Sequence, residues 1–154
     1  GQTKLDGELA LQQINPANTI IIRTSWVYSK YGNNFLKTML RLAEARDEIS
    51  VVADQIGSPT NAADLAEAIL NILPQISNET LELFHYSNEG VCSWYDFAKA
   101  IFEIKEISIK VNPIESKQYP TPAQRPFYSL MDKKKIHKRF KIQISHWRNS
   151  LKTN

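Results

Sequence analysis

Apolar residues recur along the chain in two spacings, one typical of helices and one typical of buried strands. Residues 4–14 place leucines and isoleucines at near-helical intervals and stop before Asn15-Pro16, which predicts a helix. Residues 19–27 are predicted to form a strand, because the run Thr19-Ile20-Ile21-Ile22 is typical of a strand covered on both faces in a parallel sheet. The chain is therefore expected to open with a helix followed by a buried strand.

The alternation of helices and strands continues to the end of the chain. Asn33-Asn34 and Asn61 are placed to cap helices, and Pro74 ends the second of them. Helices are predicted over 33–45, 61–73, 94–104, 133–139 and 145–151, strands over 50–53, 81–86 and 109–114, and loops over 54–60 and 115–125. This order predicts an α/β architecture with a largely parallel sheet. The strands are too few for a complete doubly wound nucleotide-binding domain, and the sequence has no Gly-x-Gly-x-x-Gly turn.

Composition limits the classes of protein to consider. The chain has 154 residues, 42% hydrophobic and 23% charged, which is ordinary for a globular protein. No apolar run approaches the roughly 20 residues of a membrane helix, and no basic-then-apolar leader opens the chain, so a cytoplasmic protein without a membrane partner is predicted. Because the chain begins with Gly1 and is helical almost at once, we expect that it starts inside a longer protein.

The charged and metal-binding side chains suggest no further chemistry. The net charge is +3, and the basic excess lies mainly within residues 133–141, where a solvated helical face explains it; no nucleic-acid partner is predicted. Cys92 is expected to be a small buried hydrophobe. His85, His137 and His146 lack metal-ligand spacing, so no metal site is assigned.

Five separated motifs give the chain a specific resemblance. The motifs are Gly1-Gln2-Thr3-Lys4-Leu5-Asp6-Gly7-Glu8, Arg23-Thr24-Ser25-Trp26-Val27-Tyr28, Gly32-Asn33-Asn34-Phe35, Asp54-Gln55-x-Gly57-x-Pro59-Thr60 and Tyr119-Pro120-Thr121-Pro122-Ala123-x-Arg125-Pro126. In this order they resemble the extended short-chain dehydrogenase/reductases, and within them the dTDP-4-dehydrorhamnose reductases. The resemblance spans nearly the whole chain.

The resemblance implies a fold, an activity and cofactors. It implies the C-terminal part of a Rossmann-like parallel sheet plus the small substrate-binding lobe, with 1–30 ending the nucleotide-binding domain and 31–154 forming mainly the lobe with returning Rossmann elements. The implied activity is reduction of dTDP-4-dehydro-L-rhamnose to dTDP-L-rhamnose by NADPH or NADH, with this portion inactive alone. Some family members are reported to use Mg²⁺, and no residue here is assigned to it. A homodimer of the full-length protein is one assembly to consider.

The catalytic and cofactor-binding expectations come from the first two motifs. In the family a Tyr-x-x-x-Lys pair lies on the helix that opens this chain, and Lys4 matches its lysine. The tyrosine would immediately precede Gly1. Residues four apart share a helix face, so the ammonium can lower the pKa of the phenol while it binds the nicotinamide ribose. Thr24 and Ser25 are expected beside the cofactor. Without the resemblance, Lys4 would be interpreted as a solvated surface lysine.

Six residues are implied to bind the dTDP-sugar substrate, and each has a structural alternative. Trp26 ends a predicted parallel strand, where open α/β sheets bind ligands, but it also suits a core aromatic. The set is Trp26, Asn33, Asn34, Gln55, Tyr119 and Arg125. The asparagines also suit helix caps, and Gln55 a turn. Arg125 either offers a planar guanidinium to a diphosphate or is an ordinary surface arginine. Tyr119 either stacks on the thymine base or packs within the protein.

Two other functions remain open at this point. A different nucleotide-sugar reductase or epimerase could use the same scaffold, because pocket details decide the substrate. A non-catalytic regulatory subunit of the same fold is the alternative from another class of protein. Lys4 argues against the second alternative.

Overall fold

Strand pairs in the computed structural model, which describes residues 1–153, are mostly parallel. The elements are α1 (Gln2–Ile14), β1 (Ile20–Thr24), β2 (Val27–Tyr28), α2 (Phe35–Ala43), β3 (Glu48–Val52), β4 (Ile56–Gly57), β5 (Thr60–Asn61), α3 (Ala62–Ile72), β6 (Glu82–Tyr86), β7 (Cys92–Ser93), α4 (Trp94–Ile104), β8 (Lys110–Ile114), α5 (Lys134–Phe140) and α6 (Trp147–Lys152), with short 3-10 turns at Leu73–Gln75 and Ser116–Gln118. The predicted alternation of helices and strands is confirmed.

Two long parallel pairs organise the chain. β1 lies beside β6, with Ile20 opposite Glu82. β3 lies beside β8, with Glu48 opposite Lys110. The short strands β2 and β5 also pair in parallel, while β4 and β7 pair antiparallel. The parallel pairs confirm the α/β class, and they place the residues that follow β1 and β3 at the carboxyl ends of strands, where ligands bind in such sheets.

The buried apolar residues form two clusters, one around each long strand pair. The cluster around β3 and β8 joins α2, α4 and α6, and its fully buried centre is Phe97 and Ile101 on α4. The cluster around β1 and β6 joins α3 and α5 through Ile72, Phe84 and Ile136. The second cluster is made by segments that return to β1 from later in the chain.

Side-chain caps explain where the helices begin. Asn34 accepts a hydrogen bond from the backbone N–H of Lys37 at the start of α2, and Asn61 does the same for Ala63 at the start of α3. Ser93 and Asp96 form a reciprocal capping box at the start of α4. The predicted caps at Asn34 and Asn61 and the predicted start at Ser93 are confirmed.

The predicted boundaries of the first strand, 19–27, were wrong. β1 ends at Thr24 instead of Val27, because Trp26 has a φ of 51°, in the left-handed region that a strand does not allow. The alternation of faces that a strand gives therefore does not extend through Ser25 and Trp26. The isoleucines of β1 are only half-buried, so they are not fully covered on both faces in this chain.

Smaller differences occur elsewhere. The predicted loop over 54–60 contains β4 and the first residue of β5, and the helix predicted from Ser145 begins at Trp147 with His146 as its cap. Helix α1 forms as predicted, but none of its residues is buried. Across residues 1–153, no helix combines the length and apolar character needed to cross a bilayer.

Candidate functional site

A cavity of about 610 Å³ lies between α2, β3, the start of α4 and the loop after β8. We call it the lobe cavity, and its lining is Phe35, Thr38, Met39, Leu42, Arg46, Ile49, Ser50, Val51, Val52, Gln55, Trp94, Tyr119, Thr121 and Arg125. Three predicted substrate-binding residues, Gln55, Tyr119 and Arg125, therefore meet in one cavity. Its size falls within the range typical of small-molecule sites.

The loop that carries Tyr119 and Arg125 is attached to the end of β3. The carboxylate of Asp54 accepts hydrogen bonds from the backbone N–H of Ser116 at 2.9 Å and from its hydroxyl at 2.6 Å. Gln55 Nε2 donates to the same hydroxyl oxygen at 2.9 Å. The hydrogen bonds from Ser116 lower the pKa of Asp54, because they favour its charged form. We call these hydrogen bonds the Asp54–Ser116 clasp. They occupy the Asp54 carboxylate and hold the start of the loop against the end of β3.

The lobe cavity combines an apolar wall with two cations. Its lining includes Arg46 and Arg125 but no aspartate or glutamate. Neither arginine forms an ion pair within the described part of the chain. Apolar and aromatic side chains such as Phe35, Met39 and Trp94 supply most of the rest. This lining suits a ligand that has a flat apolar group at one end and negative charge at the other.

Trp26 does not line this cavity, but it packs against Trp94, which does. Its indole stacks on that of Trp94 with ring centroids 3.6 Å apart and planes 11° apart, and Trp94 itself lines the cavity. On another side Trp26 packs against Gly57, where an added Cβ would lie 2.8 Å from Cε2 and Cζ2 of the indole. Gly57 leaves the space that the Trp26 ring occupies.

Thr24 and Ser25 lie together at the carboxyl end of β1. The Thr24 hydroxyl is 3.4 Å from that of Thr60, and the Ser25 hydroxyl is 3.4 Å from the carbonyl oxygen of Ser58. These distances are long for O–H···O hydrogen bonds, so both hydroxyls are weakly held. They can turn toward a ligand at little cost.

Lys4 is exposed on α1. An ion pair between Glu8 and Arg23 shows which part of β1 lies beside this helix. Glu8 accepts hydrogen bonds from the guanidinium of Arg23, with Nε at 2.9 Å, which lowers the pKa of Glu8. Lys4 lies on the same helix face one turn earlier, about 6 Å along the axis. Asn15, which follows α1, accepts a hydrogen bond from the backbone N–H of Leu81 just before β6, and β6 pairs in parallel with β1, so α1 and β1 run in opposite directions. Lys4 is therefore displaced from Glu8 toward the end of β1 that Thr24 occupies, and its place beside the cofactor stays a prediction.

The predicted asparagines do not line the lobe cavity. The Asn34 amide donates to the backbone oxygens of Ser29 at 2.7 Å and Tyr31 at 3.1 Å, while its oxygen caps α2. This use of both polar atoms favours the structural role of Asn34. Asn33 is exposed beside it, outside the cavity lining.

Cys92 and His137 have structural surroundings. Cys92 is 5% exposed, and burial raises the pKa of its thiol to about 12, as expected of a buried hydrophobe. His137 lies between Glu89, 3.1 Å from Nε2, and the carbonyl oxygen of Ile142, 3.0 Å from Nδ1. Within residues 1–153, no three His, Cys, Asp or Glu side chains are grouped to hold a metal ion.

The sequence named neither Arg46 nor Trp94 as a candidate site residue. No local signal marks either one, because the cavity forms from four segments that meet only in the folded chain. A second hollow, of about 440 Å³, lies between β1 and α3 and is lined mainly by isoleucines, without a charged side chain. The lobe cavity is the better candidate site because it contains the polar groups that orient a ligand.

Parallel strand pairs covered by helices, together with a cavity between β3, α2 and α4, are typical of a Rossmann-like α/β fold. Comparison with known families gives the particular family. Residues 1–154 match the family model described as the RmlD substrate binding domain, and the chain belongs to that family.

Individual relatives agree with this assignment. The chain is 46% identical over 158 residues to a dTDP-4-dehydrorhamnose reductase of Sinorhizobium fredii, with 97% of this chain and 53% of the relative covered. A reductase of the same name from Aggregatibacter actinomycetemcomitans is 45% identical, with 99% and 54% covered. A crystal structure of dTDP-4-dehydrorhamnose reductase from Bacillus anthracis in complex with NADP superimposes with a TM-score of 0.90 at 40% identity, covering 99% of this chain and 52% of that one. The chain thus spans about half the length of these relatives.

Proposed function

We propose that this chain is the substrate-binding portion of an enzyme that reduces dTDP-4-dehydro-L-rhamnose to dTDP-L-rhamnose with NADPH or NADH. The observation that carries the proposal is the lobe cavity, which joins Gln55, Tyr119 and Arg125 from two separate motifs. The names of the relatives and the NADP bound to one of them support the choice of reaction and cofactor.

The sugar nucleotide would lie in and beside the lobe cavity. Arg125 presents a planar fork that suits bidentate contact with the diphosphate. Tyr119 is 61% exposed at the cavity and is free to stack on the base. Gln55 would donate or accept at the ligand from the base of the loop. Trp26 would form the wall between sugar and cofactor, held there by Trp94.

Asn33 and Asn34 have different roles in the proposed substrate binding, one through direct contact and one by holding a turn. Asn33 is exposed next to α2, so its amide is available to a sugar hydroxyl at the rim. Asn34 would act by keeping the turn between Ser29 and α2 in place, since its amide is hydrogen-bonded there.

The cofactor would meet the chain at the end of β1. When bound, NADPH or NADH supplies the hydride that the carbonyl carbon receives. Thr24 and Ser25 would contact its nicotinamide half with their weakly held hydroxyls. Lys4 would hydrogen-bond the nicotinamide ribose. It would also lower the pKa of the tyrosine that the family places four residues earlier, and that phenol would donate the proton to the carbonyl oxygen.

The remaining parts of the proposal concern the whole protein. Residues 1–30 would end the nucleotide-binding domain and 31–154 would form mainly the lobe, so this chain alone would not turn over. A homodimer of the full-length protein is a further proposal. For Mg²⁺, no group of three or more His, Cys, Asp or Glu side chains within residues 1–153 is placed to hold the ion.

A kinetic assay of the full-length parent protein tests the proposed reaction. NADPH and NADH oxidation would be followed with dTDP-4-dehydro-L-rhamnose, with this chain alone alongside. We expect turnover by the parent and none by the chain. Faster turnover of another 4-keto sugar nucleotide would favour the alternative reductase. A folded parent that binds dTDP-sugar but oxidises neither cofactor would favour the non-catalytic subunit.

A further inference from the structure

We propose that Arg46 is a second diphosphate-binding cation, paired with Arg125, and that together they make the lobe cavity selective for a nucleoside diphosphate without help from the cofactor. The proposal deepens the proposed function and rests on it for the choice of ligand. It assigns a role to a side chain outside all five sequence motifs.

The position of Arg46 follows from the geometry of α2. Met39, Leu42 and Arg46 are spaced i, i+3 and i+7, which puts them on one face of a helix, and all three line the lobe cavity. The helix ends at Ala43, but Glu44 keeps helical φ and ψ, and the N–H of Ala45 donates to the carbonyl oxygen of Leu42 at 3.2 Å. The chain leaves α2 through this turn, and Arg46, the next residue, still lines the cavity beyond Met39 and Leu42.

The charge of Arg46 is not neutralised inside the cavity. No acidic residue belongs to the lining. Asp54, at the edge, is engaged by Ser116, and Glu115 pairs with Lys117 at 2.6 Å. Two guanidinium groups without carboxylate partners in one cavity attract a ligand that has two or more negative charges. A diphosphate offers enough anionic oxygens for both planar forks, whereas a neutral nucleoside offers no negative charge to either fork.

Much of the apolar wall of the lobe cavity belongs to the core of this chain. Six of its apolar lining residues lie in the hydrophobic cluster around β3 and β8: Phe35, Met39, Leu42, Ile49, Val51 and Trp94. A cavity whose wall is part of the local core is formed before a ligand arrives, so little binding energy is lost in ordering it. The diphosphate end of the ligand should therefore bind to this chain without NADPH or NADH.

Calorimetric titration of this chain with dTDP, dTMP and thymidine tests the proposal. We expect dTDP to bind at least about tenfold more tightly than thymidine, with dTMP between them. Arg46→Met and Arg125→Met should each weaken dTDP binding by about tenfold or more and leave the affinity for thymidine unchanged. Arg46→Lys, which keeps the charge but not the fork, should have an intermediate effect.

Arg41→Met is the matched control, because Arg41 lies on the same helix, outside the cavity lining. Its dTDP affinity should equal that of the unsubstituted chain, and unchanged thermal unfolding midpoints would show that the variants fold. Equal losses in Arg41→Met and Arg46→Met, or equal affinities for dTDP and thymidine, would overturn the proposal.

The binding experiment can fail or succeed separately from the test of the proposed reaction. Tight dTDP binding that depends on Arg46, in a protein without reductase turnover, would keep this inference and reject the reaction. Turnover whose KM does not change in full-length Arg46→Met would keep the reaction and reject this role for Arg46.

Discussion

The indole rings of Trp26 and Trp94 stack 3.6 Å apart, although the two residues are far apart in the sequence. Trp26 lies in the turn after β1, and Trp94 is the first residue of α4. The stack connects the carboxyl end of β1 to the lobe cavity. It makes the proposed wall between sugar and cofactor depend on the position of α4.

Replacing Trp94 by leucine tests this dependence. The substitution keeps an apolar side chain but removes the stacked ring, so we expect a loss of about 1–3 kcal/mol in the free energy of unfolding. It should also remove the circular-dichroism couplet that two stacked indoles give. In the full-length protein KM for the sugar nucleotide should rise, because the wall at Trp26 is no longer held.

Trp147→Leu is a suitable comparison, because Trp147 is buried against Phe97 and away from Trp26. It should destabilise the fold and keep the couplet. An unchanged couplet in Trp94→Leu would show that the two rings do not stack in solution.

A methyl group at Gly57 should displace the Trp26 ring. The added Cβ would lie 2.8 Å from two indole carbons and from Ser129 Oγ, which is closer than side chains tolerate. We expect Gly57→Ala to cost about 1–3 kcal/mol of unfolding free energy, measured by urea denaturation. Gly7→Ala is the opposite control, because nothing lies within 4 Å of its Cβ and helix α1 should gain about 0.5–1 kcal/mol. Equal stabilities of the two variants would contradict the packing.

The Asp54–Ser116 clasp predicts a dependence on pH. The folded pKa of Asp54 is lowered by hydrogen bonds from Ser116, so the clasp stabilises the folded state above the unfolded pKa of about 3.9. That contribution is lost as pH falls from this value through the lower folded pKa. Carboxyl titration by NMR should show the low pKa of Asp54 move back toward the ordinary value in Ser116→Ala. The same low pKa in both proteins would mean that the Ser116 hydroxyl is not its cause.

The Cys92 thiol should be inert in the folded protein. Burial raises its pKa to about 12, so the reactive thiolate is scarce at about pH 8, and the side chain is 5% exposed. A thiol-exchange reagent should react with it only after urea unfolds the chain. Rapid and complete modification without denaturant would contradict the burial of Cys92.

The sequence predicted most elements because their signals are local. The caps at Asn34, Asn61 and Ser93 mark the beginnings of helices through hydrogen bonds to residues two or three positions away. The end of β1 was missed because Trp26 adopts a positive φ, for which a tryptophan gives no warning. The parallel pairing was inferred correctly from the alternation of strands with helices.

The candidate site was predicted less completely than the fold. Gln55, Tyr119 and Arg125 could be named from motifs, and they meet in one cavity. Arg46 could not be named, because its relation to Arg125 depends on how α2 packs near the loop after β8. The assignments of Lys4, Thr24 and Ser25 stay predictions that rest on the resemblance and on the level of Lys4 beside β1.

The reductase proposal is tested most directly by steady-state NADPH oxidation in the full-length parent with dTDP-4-dehydro-L-rhamnose, compared with its Lys4→Met variant. We predict that kcat falls by about a hundredfold or more in Lys4→Met, while Lys37→Met, an exposed lysine of α2 outside the cavity lining, keeps full activity. Full activity in Lys4→Met, or no turnover by the folded parent with either cofactor, would contradict the proposal.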